Sequence, residues 1–205
     1  MLITSLFPTQ ICSGRLASGN RDELNRQLLR ECRQLRLDDA AGRRWSDANY
    51  PGGYTSYASA NRMHKMSPTF GRLERQLAPH LARYVRRLAL DMRGRTLSMT
   101  DCWVNIMPRR VAHGSHLHPL STISGTYYVQ TPQGCPGLKF EDPRLARMMA
   151  APPRRRSAAA SSQPWVAMPA QAGGFFLFES WLRHEVAPNP ARGERISISF
   201  NYSWF

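Results

Sequence analysis

The sequence predicts a mainly β protein, a barrel or two-sheet jelly roll with helices packed on its outside. Three observations carry that expectation. At 205 residues and 42% hydrophobic content the chain can bury one sizeable core and is short for two. From Met99 onward, short segments alternate apolar and polar residues and are parted by Pro, Gly or Asn. Before Met99 the apolar period is helical. The chain reads as one domain, with an N-terminal strand, helices and a covering loop in 1–95 and the jelly-roll core in 96–205.

The elements follow in order. "LITSLFP" is a short apolar N-terminal segment. Asn20 is placed to cap a helix, with Glu23 three residues on and Leu24, Leu28, Cys32 and Leu35 recurring at helical spacing. A second helix is expected from about Thr69 to Leu90, with Leu73, Leu77, Leu81, Val85 and Leu88 on one face and Pro79 as a kink or restart. The stretch between, "WSDANYPGGYTSYASANRMHKMSP", is rich in turn formers and tyrosine and reads as an ordered loop over the fold. "MTDCWVNIM", "TISGTYYVQ", "GLKFE", "WVAM", "GGFFLFES", "RHEVA" and "RISISFNYSWF" are the strands. Residues 148–164, "MMAAPPRRRSAAASSQP", break the rhythm and read as a flexible loop or lid, with Arg154 to Arg156 solvated or docking an acidic substrate. Trp103, Trp165, Trp181 and Trp204 alternate with apolar neighbours and read as core.

Composition narrows the function classes. No apolar run approaches the roughly 20 residues of a membrane helix, and the start lacks a signal-peptide pattern, so a cytoplasmic protein is expected. The scattered cysteines, Cys12, Cys32, Cys102 and Cys135, form no Cys-x-x-Cys pair and read as reduced thiols. The net charge of +14 is compatible with nucleic acid. It is not favoured, because only Lys65 and Lys139 are lysines and the arginines are spread along the chain.

Chemistry concentrates in "HGSHLHPLSTISGTYYV", which holds His113, His116 and His118, half of the six histidines. On an extended segment residues two apart project from one face, so His116 and His118 suit adjacent positions on a metal. His184, in "ESWLRHEVAPN", is the third candidate ligand. In "ERISISFNY", Arg195, Ser197, Ser199 and Asn201 share one face of a strand, an unusual lining unless the interior binds something polar. Arg195 offers a planar fork for a carboxylate and Ser197 a hydroxyl beside it.

These motifs as a set resemble a known family. "WVNIM", "HLHPLSTISGTYYV", "GLKFEDPR", "AGGFFLFESWLRHEVAPN" and "ERISISFN" are similar to a bacterial family of 2-oxoglutarate/iron(II)-dependent oxygenases, and "SLFPTQI" and "NYPGGYTSYAS" fit it too. The resemblance implies a double-stranded β-helix, a cupin-like jelly roll, and a dioxygenase that hydroxylates or demethylates a substrate with Fe(II) as metal and 2-oxoglutarate as co-substrate. It matches His116 to the first metal ligand and His184 to the distal one, and Arg195, helped by Ser197, to the residue pairing with the far carboxylate of 2-oxoglutarate. Position 118 departs, since most of the superfamily carries Asp or Glu there and this chain carries His. Imidazole suits iron as well as zinc, copper and nickel, so His118 is a candidate ligand, with Asp142 or Glu141 as the alternative carboxylate. Asn105, Tyr127 and Tyr128 are expected in the pocket, the inward tyrosine depending on strand register. His113 is expected beside the ligands or toward solvent.

Two other readings stay open. One is a cupin-like metalloenzyme whose three histidines bind metal without 2-oxoglutarate. The other is a degenerate, non-catalytic jelly roll whose basic surface binds an anion or nucleic acid. The substrate, small molecule or protein, is not specified, and exposed strand edges make a homodimer reasonable.

Overall fold

The computed structural model describes residues 1–204. The chain opens with β1 (Ile11–Arg15), α1 (Ser18–Asp38), α2 (Ala40–Asn49), β2 (Tyr54–Thr55), α3 (Met63–Met66) and α4 (Pro68–Arg87). The strands β3 (Ser98–Met107), β4 (His113–His116), β5 (Ile123–Gln130), β6 (Leu138–Glu141), β7 (Trp165–Met168), β8 (Gly174–Glu179), β9 (His184–Val186) and β10 (Arg195–Ser203) follow. They form two antiparallel sheets, a six-stranded one in the order β1-β8-β5-β10-β3-β2 and a four-stranded one in the order β4-β9-β6-β7. This is the expected jelly roll with helices outside.

Alternation along the strands separates two cores. Outward residues of the large sheet, among them Val104, Ile106, Ile196, Ile198, Tyr127 and Phe175, pack with Leu24 and Leu28 of α1 and with Phe70, Leu73 and Leu77 of α4. Burying each of these leucines contributes about 1.5–3 kcal/mol. Inward residues Met107, Tyr128, Phe176 and Phe178 meet Leu138, Phe140, Leu182 and Val186 between the sheets. Gly125 permits the close approach behind the inner face, since a Cβ there would lie 2.3 Å from Phe200 Cε2 and 2.6 Å from the Phe176 carbonyl oxygen.

Several expectations needed correction. α1 begins at Ser18, two residues before the expected cap at Asn20. α4 is capped by Ser67, whose side chain accepts from Thr69 N and Phe70 N, and it continues through Pro79 to Arg87. The stretch read as a loop is more ordered than its composition suggested. α2 runs through its start, and the carboxylate of Asp39 accepts from Gly42 N, Ser59 Oγ and Tyr54 Oη, tying α2 to the turn after β2. Residues 148–164 contain no strand and one turn of 3-10 helix, Ala160–Ser162. Trp181 and Trp204, expected in the core, are 47% and 38% exposed, Trp181 in the turn after β8 and Trp204 just past the end of β10; Trp165 is half-buried and Trp103 buried. The described cysteines are all free. Among the described residues no helix is long and apolar enough to cross a membrane.

Candidate active site

The histidines converge because of strand pairing. β4 lies antiparallel to β9 with His116 directly opposite His184, which brings two side chains from distant parts of the chain within contact range. His118 lies just beyond β4, held by its backbone N–H donating to the Ser180 carbonyl. The His116 ring centroid lies 4.4 Å from that of His184, and the His118 ring lies 5.2 Å from both. The three residues offer ligand nitrogens that all lie within 4.8 Å of one another.

The hydrogen bonds favour metal-facing nitrogens. His116 Nδ1 lies 2.7 Å from the Gly114 carbonyl and His184 Nδ1 lies 2.9 Å from the Leu182 carbonyl. A carbonyl only accepts, so each Nδ1 carries the proton and each Nε2 keeps its lone pair. Burial, reinforced by the neighbouring histidines, pushes His118 down to about 3 and His184 to about 4, and burial lowers His116 as well. All three are neutral near pH 7, as metal ligation requires. The donor set therefore fits a divalent metal that accepts imidazole.

Arg195 marks the far end of the same interior. Arg195 is 2% exposed; its guanidinium donates from Nε to the Pro136 carbonyl (2.9 Å) and from Nη1 to Ser197 Oγ (3.1 Å), and lies 5.0 Å over the Tyr128 ring. Among the described residues no carboxylate lies within 4.0 Å of it. A buried charge without a counter-charge is costly, and an anion placed here would offset that cost. A narrow cavity of about 40 Å³ joins the two ends, lined by His116, His118, His184, Asn105, Arg195 and Ser197. One water needs roughly 10–15 Å³ on this measure, so the slot admits a slender, unbranched molecule.

Three buried polar atoms around this slot have no hydrogen-bond partner: the Tyr50 and Tyr128 hydroxyls and Asn105 Oδ1. Register settles which tyrosine faces inward. Tyr128 pairs with Ser197 and lies beside Arg195, while Tyr127 points to the helices and donates to Asn25 Oδ1 at 3.0 Å. The expectation of Tyr127 in the pocket is thus corrected to Tyr128. Tyr50, not anticipated from sequence, packs its ring tilted against His113 with centroids 4.6 Å apart, and burial pushes its hydroxyl up while the Arg195 charge partly offsets this. The "NYPGGY" turn was its only signal, and turn chemistry alone explains that motif. His113 is mostly enclosed, with its ring 5.4 Å from His116, and burial pushes it down to about 3.

Asp142 is not among the grouped ligands. Its carboxylate takes two bonds from the Arg144 side chain (2.9 and 2.8 Å) and one from Arg144 N (2.9 Å), closing the turn after β6. Glu141 N donates to the Arg183 carbonyl in the continuation of the sheet. A second, larger cavity of about 480 Å³ opens on the other side of His116 and His118.

Residues 101–201 match a family model described as "Putative 2OG-Fe(II) oxygenase". No curated protein is significantly similar in sequence. Among solved structures the fold is similar to the non-haem α-ketoglutarate-dependent epimerase SnoN of nogalamycin biosynthesis, in complex with Fe3+, α-ketoglutarate and nogalamycin RO. That likeness has a TM-score of 0.66 at 16% identity, over 96% of this chain and 79% of that one. The Trichoplax adhaerens prolyl hydroxylase bound to a hypoxia inducible factor peptide fragment gives 0.60 at 16% identity, over 94% and 83%. The chain spans 58% of the length of a Burkholderia pseudomallei oxidoreductase of the 2OG-Fe(II) oxygenase family (TM-score 0.48, 17% identity, 68% of this chain). The stretch similar to the 2OG-Fe(II) oxygenase family, residues 101–201, reaches from β3 into β10 and so includes the strands that carry the candidate site.

Proposed function

We propose that His116, His118 and His184 hold iron(II), and that 2-oxoglutarate lies in the narrow slot with its far carboxylate on Arg195 and Ser197. The observation that carries this reading is the buried Arg195 guanidinium, without a carboxylate partner, at the end of a slot whose other end is the histidine group. When bound, the iron and 2-oxoglutarate supply the oxidising chemistry: substrate, O2 and 2-oxoglutarate give oxidised substrate, succinate and CO2, with hydroxylation or demethylation as the outcome.

The chain's own residues orient and enclose these reactants. The Gly114 and Leu182 carbonyls fix the His116 and His184 rings so that Nε2 faces the metal. Two of the five N–H groups of Arg195 are held by Pro136 and Ser197, and three remain for a carboxylate. The Tyr50 and Tyr128 hydroxyls, buried beside Arg195, gain the partner they lack when an anion enters. Trp103 and His113 wall both cavities and keep water from the reacting atoms. The substrate enters the larger cavity. SnoN and the Trichoplax enzyme were solved with a small molecule and a peptide respectively, and both classes fit a cavity of this size.

The test is spectroscopic. Protein loaded anaerobically with iron(II) should develop a weak metal-to-ligand charge-transfer band on adding 2-oxoglutarate. His184→Ala should lose both the metal and the band, while Asp142→Asn should keep both. Metal bound without any band would leave a three-histidine metalloenzyme that does not use 2-oxoglutarate, and absence of bound metal would reject the site.

A further inference from the structure

Resting on the iron and 2-oxoglutarate reading above, the geometry points to a ring-bearing organic anion as the substrate: a flat apolar ring system carrying one acid group. The cavity of about 480 Å³ is of the size that encloses a drug-sized molecule. Along one wall Trp45 lies 6.4 Å from Tyr57, Tyr57 lies 5.2 Å from Trp103, and Trp103 lies 5.8 Å from His118, all between ring centroids. A continuous aromatic wall thus leads from the surface, where Trp45 and Tyr57 are 36% and 48% exposed, to a proposed metal ligand. Offset or edge-on contacts with such a wall favour flat rings over branched aliphatic groups.

Aromatic faces also attract cations, so charge has to decide between an acid and an ammonium. Among the described residues lining this cavity there is no Asp, Glu or Lys, and Arg110 carries the one full charge. No described carboxylate lies within 4.0 Å of Arg110. Three neutral imidazoles leave the charge of a divalent metal uncompensated, and the two charges of 2-oxoglutarate are shared with Arg195. An ammonium group entering here meets net positive charge with no carboxylate to hold it. An acid group has at the cavity rim the exposed Arg110, whose guanidinium has no carboxylate partner among the described residues and can act as a charge-assisted donor fork.

The experiment uses the full chain, loaded anaerobically with iron(II) and 2-oxoglutarate and titrated calorimetrically with 2-naphthoate, 2-naphthylmethanol and 2-naphthylmethylammonium. The naphthoate should bind about tenfold tighter than the alcohol, and the ammonium weakest. Arg110→Asn should erase the advantage of the acid while leaving the alcohol within about twofold. Asn suits that position because Arg110 has φ 69°, which Asn tolerates. Tyr57→Ala should weaken all three probes. The proposal is overturned by ammonium binding as tight as naphthoate, by an acid advantage that survives Arg110→Asn, or by no binding of any probe. The charge-transfer band is followed in the same samples. A band lost on adding naphthoate shows displacement of the co-substrate and also overturns the proposal, whereas a band that never forms rejects the iron and 2-oxoglutarate reading instead.

Discussion

Replacing Arg195 with Met keeps most of the side-chain volume and removes the charge and the donor fork. In the wild type Arg195 is 2% exposed, and the bonds of its guanidinium to Pro136 and Ser197 already fix its plane. A carboxylate arriving there forms a buried, pre-oriented ion pair, and removing one partner of such a pair costs about 3–5 kcal/mol. Taking the lower end, 2-oxoglutarate affinity should fall about 160-fold. Thermal shift in the anaerobic iron(II) form measures this directly. At a hundredfold excess over Kd the wild type gains about 2.7 kcal/mol, which for a chain of this length raises Tm by about 5–10 °C. At the same 2-oxoglutarate concentration the variant should shift by less than about 1 °C. Arg195→Lys, which keeps the charge and loses the fork, should fall between. A full 2-oxoglutarate shift in Arg195→Met would refute the reasoning. So would equal loss in Arg195→Lys and Arg195→Met accompanied by collapse of the ligand-free fold, because that would mark Arg195 as structural.

The two adjacent tyrosines should separate cleanly. Tyr128→Phe should raise the KM for 2-oxoglutarate several-fold with Tm nearly unchanged, while Tyr127→Phe should lower stability by about 1 kcal/mol through its lost bond to Asn25 and leave KM alone; the reverse pattern in steady-state assays and melts would contradict the register argument. Gly125→Ala should destabilise by about 1–3 kcal/mol or more, because the added methyl meets the Phe200 ring and the Phe176 carbonyl, and an unchanged urea midpoint would count against the packing described. The metal-free protein should lose stability in acid. His113 and His118 sit near 3 and His184 near 4 in the fold against about 6.5 in the unfolded chain, so the unfolded chain takes up protons first as pH falls. The stability these groups contribute is complete above about pH 6.5 and is lost below it, at about 1.4 kcal/mol per pH unit for each. Urea midpoints of chelator-treated protein at pH 7.5, 6 and 5 check this, and a flat profile would oppose it.

Local pattern determined much of this protein. Period-two alternation and turn residues located the strands from Met99 onward except β4, whose four residues His113–His116 carry no apolar alternation, and helical spacing located the buried faces of α1 and α4, because these periods report which side of each element meets the core. His116 and His118 stood out by their two-residue spacing, with His184 as the third imidazole, and Arg195 and Ser197 because polar side chains on one strand face need a polar reason to be there. Tertiary structure decided the rest. Asp142 stood as the alternative to His118, and the fold sets it against Arg144, outside the histidine group. Tyr127 and Tyr128 are indistinguishable by composition. The pairing of Ser197 with Tyr128, across a register shift between Ile196 and Ser197, turns one to the helices and the other to Arg195. α2 was hidden because its residues resemble a turn-rich loop, and its order comes from Asp39 bonding to Ser59 and Tyr54, contacts that exist only once the chain has folded back. The physical reason is the same in each case. Periodicity records which face of an element is buried, whereas a site depends on which buried faces meet, and strand register and long-range hydrogen bonds set that meeting.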